Sequence, residues 1–392
     1  MKFPKLSPIS QLISIFRTAG LERKNPRSYS CCLKKNPPPQ LVLLGQTEPF
    51  RRMKFGLIYS FQVPPGSGAT HAQLWRDALR EADLAEKLGY DSITLVEHHF
   101  LDDGMNPSLF VSAAAIAART EHVKVGTSCY LLPLHHPIET AENAAVLDNI
   151  SQGRLIMGVA AAYREEEFKG FGISRGERGP RMDEYLQILR EAWTKDAFSF
   201  KGRFYSCKNL SVTPKPVQRP IPMWFGASGQ AGLRRAARQG LPLVGSNRHH
   251  VSELERHYST YRKYLRRYGK RVSEVPLLRN VYVAESDGKA VEESANSMMA
   301  VLAGLYGRWA RWRKMVDDKG RSPDDPAFHS FESHREKCIV GSTRTAADQV
   351  EMYSKRLGVN HLLCWTALPG MPHEKVEKSI RLFAKDVVPS FR

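Results

Sequence analysis

Lys54-Phe55-Gly56-Leu57-Ile58-Tyr59-Ser60-Phe61 is an apolar, aromatic-rich run of strand length. It is followed by residues 73–88, where Leu74, Ala78, Ala82, Ala85 and Leu88 recur at helical spacing and Gly89 supplies the stop, and then by Ser92-Ile93-Thr94-Leu95-Val96-Glu97. That succession reads as a strand, a crossover helix and a second strand. The same alternation continues down the chain. Strand candidates lie at 54–61, 92–97, 123–132, 155–161, 222–227, 243–246, 277–284 and 360–365. Helical patterns lie at 73–88, 107–119, 138–150, 181–193, 229–239, 252–268 and 343–357. Eight strands separated by helices predict an α/β chain folded as a (β/α)8 TIM barrel with insertions. A doubly wound open sheet shares the local pattern, but no Gly-x-Gly-x-x-Gly follows the first strand, which weakens that alternative.

Outside this rhythm stand three stretches. Residues 198–220 are β-rich and carry Pro214, Pro216 and Pro220, an extended excursion before the fifth strand. Residues 304–337 hold Trp309, Trp312 and a dense mix of charges, an insertion that reads equally as a lid or as a solvated excursion. Residues 1–52 carry ten Lys or Arg against Glu22 and Glu48, net +8 of the chain's +18, and have no periodic pattern. This leader is expected to be disordered and separate from a barrel domain at 53–392. A start placed too far upstream of Met53 is favoured over a transit peptide.

The rest of the charge is scattered, with no aromatic-interleaved basic stripe, so nucleic-acid binding is not expected. The longest nearly apolar run, 109–118, falls short of the roughly 18 residues that would suggest a membrane span. Six cysteines without a Cys-x-x-Cys pair match neither a disulfide framework nor a zinc module, and point to a reducing, cytoplasmic setting.

Barrel enzymes assemble their sites at the C-terminal ends of strands. The second strand ends in Glu97-His98-His99-Phe100, and a histidine at a barrel mouth suits proton exchange near neutral pH as well as a structural hydrogen bond. The third ends in Thr127-Ser128-Cys129-Tyr130. The fourth gives Gly158-Val159-Ala160-Ala161-Ala162-Tyr163, small enough to let a flat ring approach. The fifth runs through Gly226-Ala227-Ser228-Gly229 into a helix, where free N–H groups would favour a phosphate. Tyr130, Tyr163, Phe225 and Trp365 near the mouth suit a small hydrophobic substrate. Histidines 98, 99, 135, 136, 249 and 250 leave a metal-dependent hydrolase to be considered, but no His-x-His lies on the first strand and no carboxylates accompany them at ligand spacing. No metal is expected.

Taken together, these landmarks resemble the bacterial luciferase-like flavin monooxygenase family. They are Met53-Lys54-Phe55-Gly56, Glu97-His98-His99-Phe100, Leu132-Pro133 before His136-Pro137, and Leu147-Asp148 with Ser151-x-Gly153-Arg154. Glu167-Phe168 with Phe171-Gly172 and the closing 387–389 complete the series. The resemblance implies a barrel that uses reduced FMN, with a deazaflavin coenzyme as the alternative. It also implies a separate NAD(P)H-dependent flavin reductase and a homodimer formed through helices near the second and third strands. By position, His98 matches the histidine that serves acid–base chemistry beside the flavin, and Glu97 a glutamate near the isoalloxazine. Ser128-Cys129 falls where relatives carry a non-proline cis peptide, and Ala162 on the segment facing the ring. Gly226, Ala227, Ser228 and Gly229 match the phosphate turn. Ala160 and Ala161 replace a reactive cysteine and a phosphate-binding arginine of the luciferase α chain. Phosphate binding must therefore lean on the glycine turn, on Arg164 or on another basic residue. A non-catalytic flavin-binding subunit is the remaining alternative.

Overall fold

The computed structural model describes residues 52–305, 316–317 and 319–392. The expectations for residues 1–51 and for the middle of the 304–337 insertion lie outside the described residues.

The chain begins with β1 (Lys54–Tyr59), α1 (His71–Lys87), β2 (Ser92–Leu95), α2 (Leu109–Ala117), β3 (Lys124–Leu131), α3 (Pro137–Ile150) and β4 (Leu155–Ala160). It continues with α4 (Glu165–Gly170), α5 (Arg178–Thr194), β5 (Phe198–Lys201), β6 (Ser206–Leu210), β7 (Met223–Gly226), α6 (Gln230–Gln239), β8 (Leu243–Val244) and α7 (Val251–Arg267). It ends with β9 (Pro276–Val283), α8 (Asp287–Met299), β10 (Cys338–Gly341), α9 (Thr343–Leu357), β11 (His361–Trp365) and α10 (His373–Leu382).

Local chemistry sets these bounds. Thr70 caps α1 by accepting from the Gln73 N–H, and the helix buries Ala78, Ala82 and Ala85 as its spacing predicted. Gly89 then takes φ +77°, a left-handed turn that favours glycine. Along β1, Phe55, Leu57 and Tyr59 join the core between strands and helices, whereas Ile58 joins a second cluster with Val96, Trp224, Leu278, Leu363 and Trp365. Period-two alternation therefore separates an outer layer from the barrel interior.

Parallel pairing runs β9-β11-β1-β2-β3-β4-β7-β8. A parallel bridge between Gly245 and Leu277 joins β8 back to β9, with Gly245 N–H to Pro276 O at 2.9 Å and Leu278 N–H to Gly245 O at 2.9 Å. The ring is the expected (β/α)8 barrel, built from the eight anticipated strands. A ninth strand, β10, was not anticipated; it pairs with the upper half of β9, Cys338 with Asn280 through Gly341 with Val283. The β-rich excursion is an antiparallel hairpin of β5 and β6. Helices α4, α8 and α10 are further additions to the sequence reading. In the described end of the insertion, Phe328 and Phe331 are buried rather than solvated. No helix among the described residues is long and apolar enough to cross a membrane.

Candidate active site at the mouth of the barrel

A cavity of about 1070 Å³ opens at the C-terminal ends of the strands. Glu97, His98, Ser128, Cys129, Ala162, Tyr163, Gly226, Ala227, Ser228, Gly229 and Trp365 all line it. Of the candidate residues, Tyr130 is the exception. The register slips between Ser128 and Tyr130, Cys129 faces the cavity, and the Tyr130 side chain turns outward. It stacks on His135 at 4.2 Å and its hydroxyl meets Thr140 Oγ1 at 3.3 Å, so the structure does not bring it into the cavity with the other candidates. The Ser128–Cys129 peptide is cis, as the resemblance implied.

His98 has a contact on each ring nitrogen. Its Nδ1 lies 2.7 Å from Glu167 Oε1, and its Nε2 lies 3.3 Å from the Tyr163 hydroxyl. Glu167 is fully buried and comes from α4, a single turn and a half that follows β4. The same carboxylate oxygen accepts from the His99 backbone N–H at 3.1 Å and faces Arg164 Nη1 at 3.4 Å. A buried carboxylate on Nδ1 fixes the imidazole tautomer and turns Nε2 toward the Tyr163 hydroxyl. Sequence reading used Glu167 as a landmark and did not see it as the partner of His98; no local spacing links residues 69 positions apart.

Glu97, which lines the cavity, also holds strand ends together. Its Oε1 accepts from His99 Nε2 at 2.7 Å and His135 Nε2 at 2.5 Å, and its Oε2 from the Leu131 backbone N–H at 2.9 Å. Burial alone would raise this carboxyl, but His135 and His99 outweigh it and hold it at about 2. The carboxylate thus ties the end of β2 to the end of β3. These three side chains, whose ligand atoms lie within 4.8 Å of one another, also form a group that the sequence reading passed over when it found no ligand spacing. Hydrogen bonds through the shared oxygen account for their convergence.

Another wall carries the start of α6 and several arginines. Gly226 sits so tightly against Cys129 that a Cβ there would lie 2.6 Å from Sγ, whereas a Cβ on Gly229 would meet open space. Gly229 caps α6 without a side-chain hydrogen bond, and the first-turn residues Gln230, Ala231 and Gly232 line the cavity, which puts the positive end of the helix at its wall. Arg175, Arg178 and Arg235 share this wall. Arg235 is paired with Asp183 at 2.8 and 3.0 Å, and Arg175 lies 3.6 Å from Glu165. Arg178 forms no ion pair among the described residues, and its desolvation and the nearby Arg175 lower its affinity for a proton. Arg164, one candidate phosphate ligand, is instead buried, with Nη1 on the His99 carbonyl at 2.5 Å, and does not line the cavity. The Ser128 hydroxyl is buried in the cavity wall and meets no hydrogen-bond partner among the described residues.

The sequence profile of the family described as luciferase-like monooxygenase matches residues 53–361. The chain belongs to the luciferase-like monooxygenase family. It is therefore an oxidoreductase, as the resemblance implied. The oxygenase component of a flavin-dependent trigonelline monooxygenase from Acinetobacter baylyi is 26% identical over 335 residues, covering 82% of this chain and 91% of that protein. The fold matches the oxygenating constituent of 3,6-diketocamphane monooxygenase from Pseudomonas putida, solved with FMN, with a TM-score of 0.74 at 20% identity over 87% and 99% of the two chains. It also matches an F420-dependent secondary alcohol dehydrogenase, with a TM-score of 0.69 at 20% identity over 87% and 100%. The start of α6 and His98 share one chamber at the barrel mouth.

Proposed function

We propose that this chain is the oxygenase of a two-component system, taking reduced FMN from a separate NAD(P)H-dependent flavin reductase and oxidising a small hydrophobic molecule with O2. The observation that carries this reading is the shared cavity, with an uncapped helix N-terminus and Arg178 in one wall and a Glu167-oriented His98 in another. FMN has one phosphate dianion on a flat, largely apolar ring system, and both parts have counterparts here. Gly226 to Gly229, the first turn of α6 and Arg178 would hold the phosphate. Ala162, Ser128 and Cys129 would border the ring, and burial pushes the Cys129 thiol up to about 12, keeping it neutral there. Bound reduced FMN supplies the two electrons for oxygen activation. His98 exchanges a proton at Nε2, and Trp365, Tyr163, Val96 and Leu278 exclude water and receive the substrate. None of the four cysteines among the described residues forms a disulfide, and the outer faces of α2 and α3 suit a homodimer.

A deazaflavin coenzyme, transferring hydride without oxygen, is the second reading, because the same cradle accepts its phosphate. Anaerobic titration separates the two. Wild-type protein is expected to bind reduced FMN more tightly than reduced deazaflavin. Gly229→Val, whose new side chain enters open space, should weaken FMN by roughly 10- to 100-fold, the loss of one hydrogen bond to a charged group. Preference for the deazaflavin would overturn the FMN assignment; unchanged FMN affinity in the variant would overturn the phosphate cradle.

A further inference from the structure

A second cavity, of about 220 Å³, lies outside the barrel, between β1, α1, α10 and the loops that follow β1 and β11. Three side-chain oxygens of its wall, Tyr59 Oη, Gln62 Oε1 and Glu81 Oε2, close no well-formed hydrogen bond among the described residues, although the Tyr59 hydroxyl lies near enough to the Glu81 carboxylate to interact with it. Their residues are only 3%, 6% and 3% exposed. Each such orphan costs about 1–3 kcal/mol, so three in one small cavity call for an occupant. Two of the three are pure acceptors, and the hydroxyl accepts as readily as it donates. Asp77 adds a second carboxylate to the wall. The Tyr59 and Phe61 rings, stacked at 5.8 Å with Trp75 behind Phe61 at 3.6 Å, make one wall aromatic. His373 is the one lining group able to carry positive charge, and its Nδ1 is already engaged with Glu81 Oε1 at 2.7 Å.

We propose that this cavity is a second ligand site, selective for a small primary ammonium on an apolar body. An ammonium has three N–H donors and no acceptor, which matches Glu81 Oε2, Gln62 Oε1 and Tyr59 Oη one for one. The aromatic wall attracts the same charge, and Leu74, Met371 and Val376 receive the hydrocarbon. Ordered water is the competing occupant, and it has no use for the charge or the aromatic faces.

The Glu81–His373 pair gives the site a signature. Burial raises the Glu81 carboxyl above its ordinary range, and the hydrogen bond to Glu81 raises His373, so the pair holds its shared proton more firmly than either group would alone. Facing it are Asp77 and Tyr59, Glu377 at 3.5 Å from His373 Nε2, and Arg80 and Arg381 across the neighbouring shallow cavity. A cation seated on Oε2 favours the ionised carboxylate with neutral His373 and drives that proton off.

The test is calorimetric titration of the full-length protein with benzylamine and with benzyl alcohol, its uncharged analogue, in two buffers of different ionisation enthalpy. Benzylamine is expected to bind at least about 10-fold more tightly than the alcohol, with net proton release, and Glu81→Gln is expected to lose about 10-fold or more in benzylamine affinity. Equal binding of amine and alcohol, or no binding of benzylamine up to about 10 mM, would overturn the proposal. If the variant fails to fold, the comparison of the two probes on wild-type protein decides by itself.

Discussion

Under the proposed function His98 trades a proton, which requires a fixed ring, and Glu167 on Nδ1 supplies that. His98→Ala should therefore leave reduced-FMN affinity nearly unchanged while lowering product formation by roughly 100-fold or more, the usual contribution of general acid–base help. The readout is product and hydrogen peroxide per reduced flavin consumed; coupling close to wild type would reduce His98 to a structural role. Glu97 acts on stability instead. Its folded carboxyl lies at about 2, below the ~4.3 of an unfolded glutamate. The sign follows: its contribution is full above pH ~4.3 and is lost as pH falls toward the folded value, on the order of 3 kcal/mol in all. His135→Ala removes the larger of the two stabilising partners and leaves burial to push the carboxyl up. Denaturation midpoints between neutral pH and pH ~3 should then begin to fall at a higher pH than in wild type. An identical acid limb in both proteins would show that His135 does not hold this carboxylate.

At the level of elements, legibility followed the length of the repeating pattern. The eight ring strands were readable because each is bounded by a helix whose apolar spacing is unambiguous, as in α1. β10 was not, because Cys338-Ile339-Val340-Gly341 follows an irregular insertion and lacks a preceding helix to mark it. α4, six residues with three consecutive glutamates at its start, is too short to show a period. The same reason governs the site. Residues on strand ends, from Glu97 to Gly229, could be found by topology alone. Glu167 and Arg178 reach the site from helices, where nothing in the local spacing says which side chain turns inward. Tyr130 shows the opposite failure: it was placed at the mouth by position on its strand, and the register slip after Ser128 sends its ring to α3. Topology locates strand ends, but packing decides which face of each is used.

For the whole molecule, the remaining question is what covers the outer faces of α2 and α3. On α2 the inner side chains Leu109, Ser112, Ala113, Ile116 and Ala117 are buried, while Val111, Ala115 and Ala118 recur on the outer face. Val111 is 72% exposed, and on α3 Val146 and Ile150, one turn apart, are 42% and 46% exposed. An apolar face of small residues lets a second pair of helices approach closely. A homodimer is expected. In a two-fold interface each substitution appears twice, so one charge introduced per chain places two like charges against a desolvated surface. Val111→Arg with Val146→Arg should raise the dimer dissociation constant by about 100- to 1000-fold, the equivalent of a few kcal/mol. Neither side chain is buried within the chain, so the variant should melt cooperatively and keep its flavin cavity. Sedimentation velocity of both proteins at micromolar concentration checks the expectation. A wild-type monomer would remove the dimer, and an undisturbed dimer in the double variant would move the interface away from these two helices.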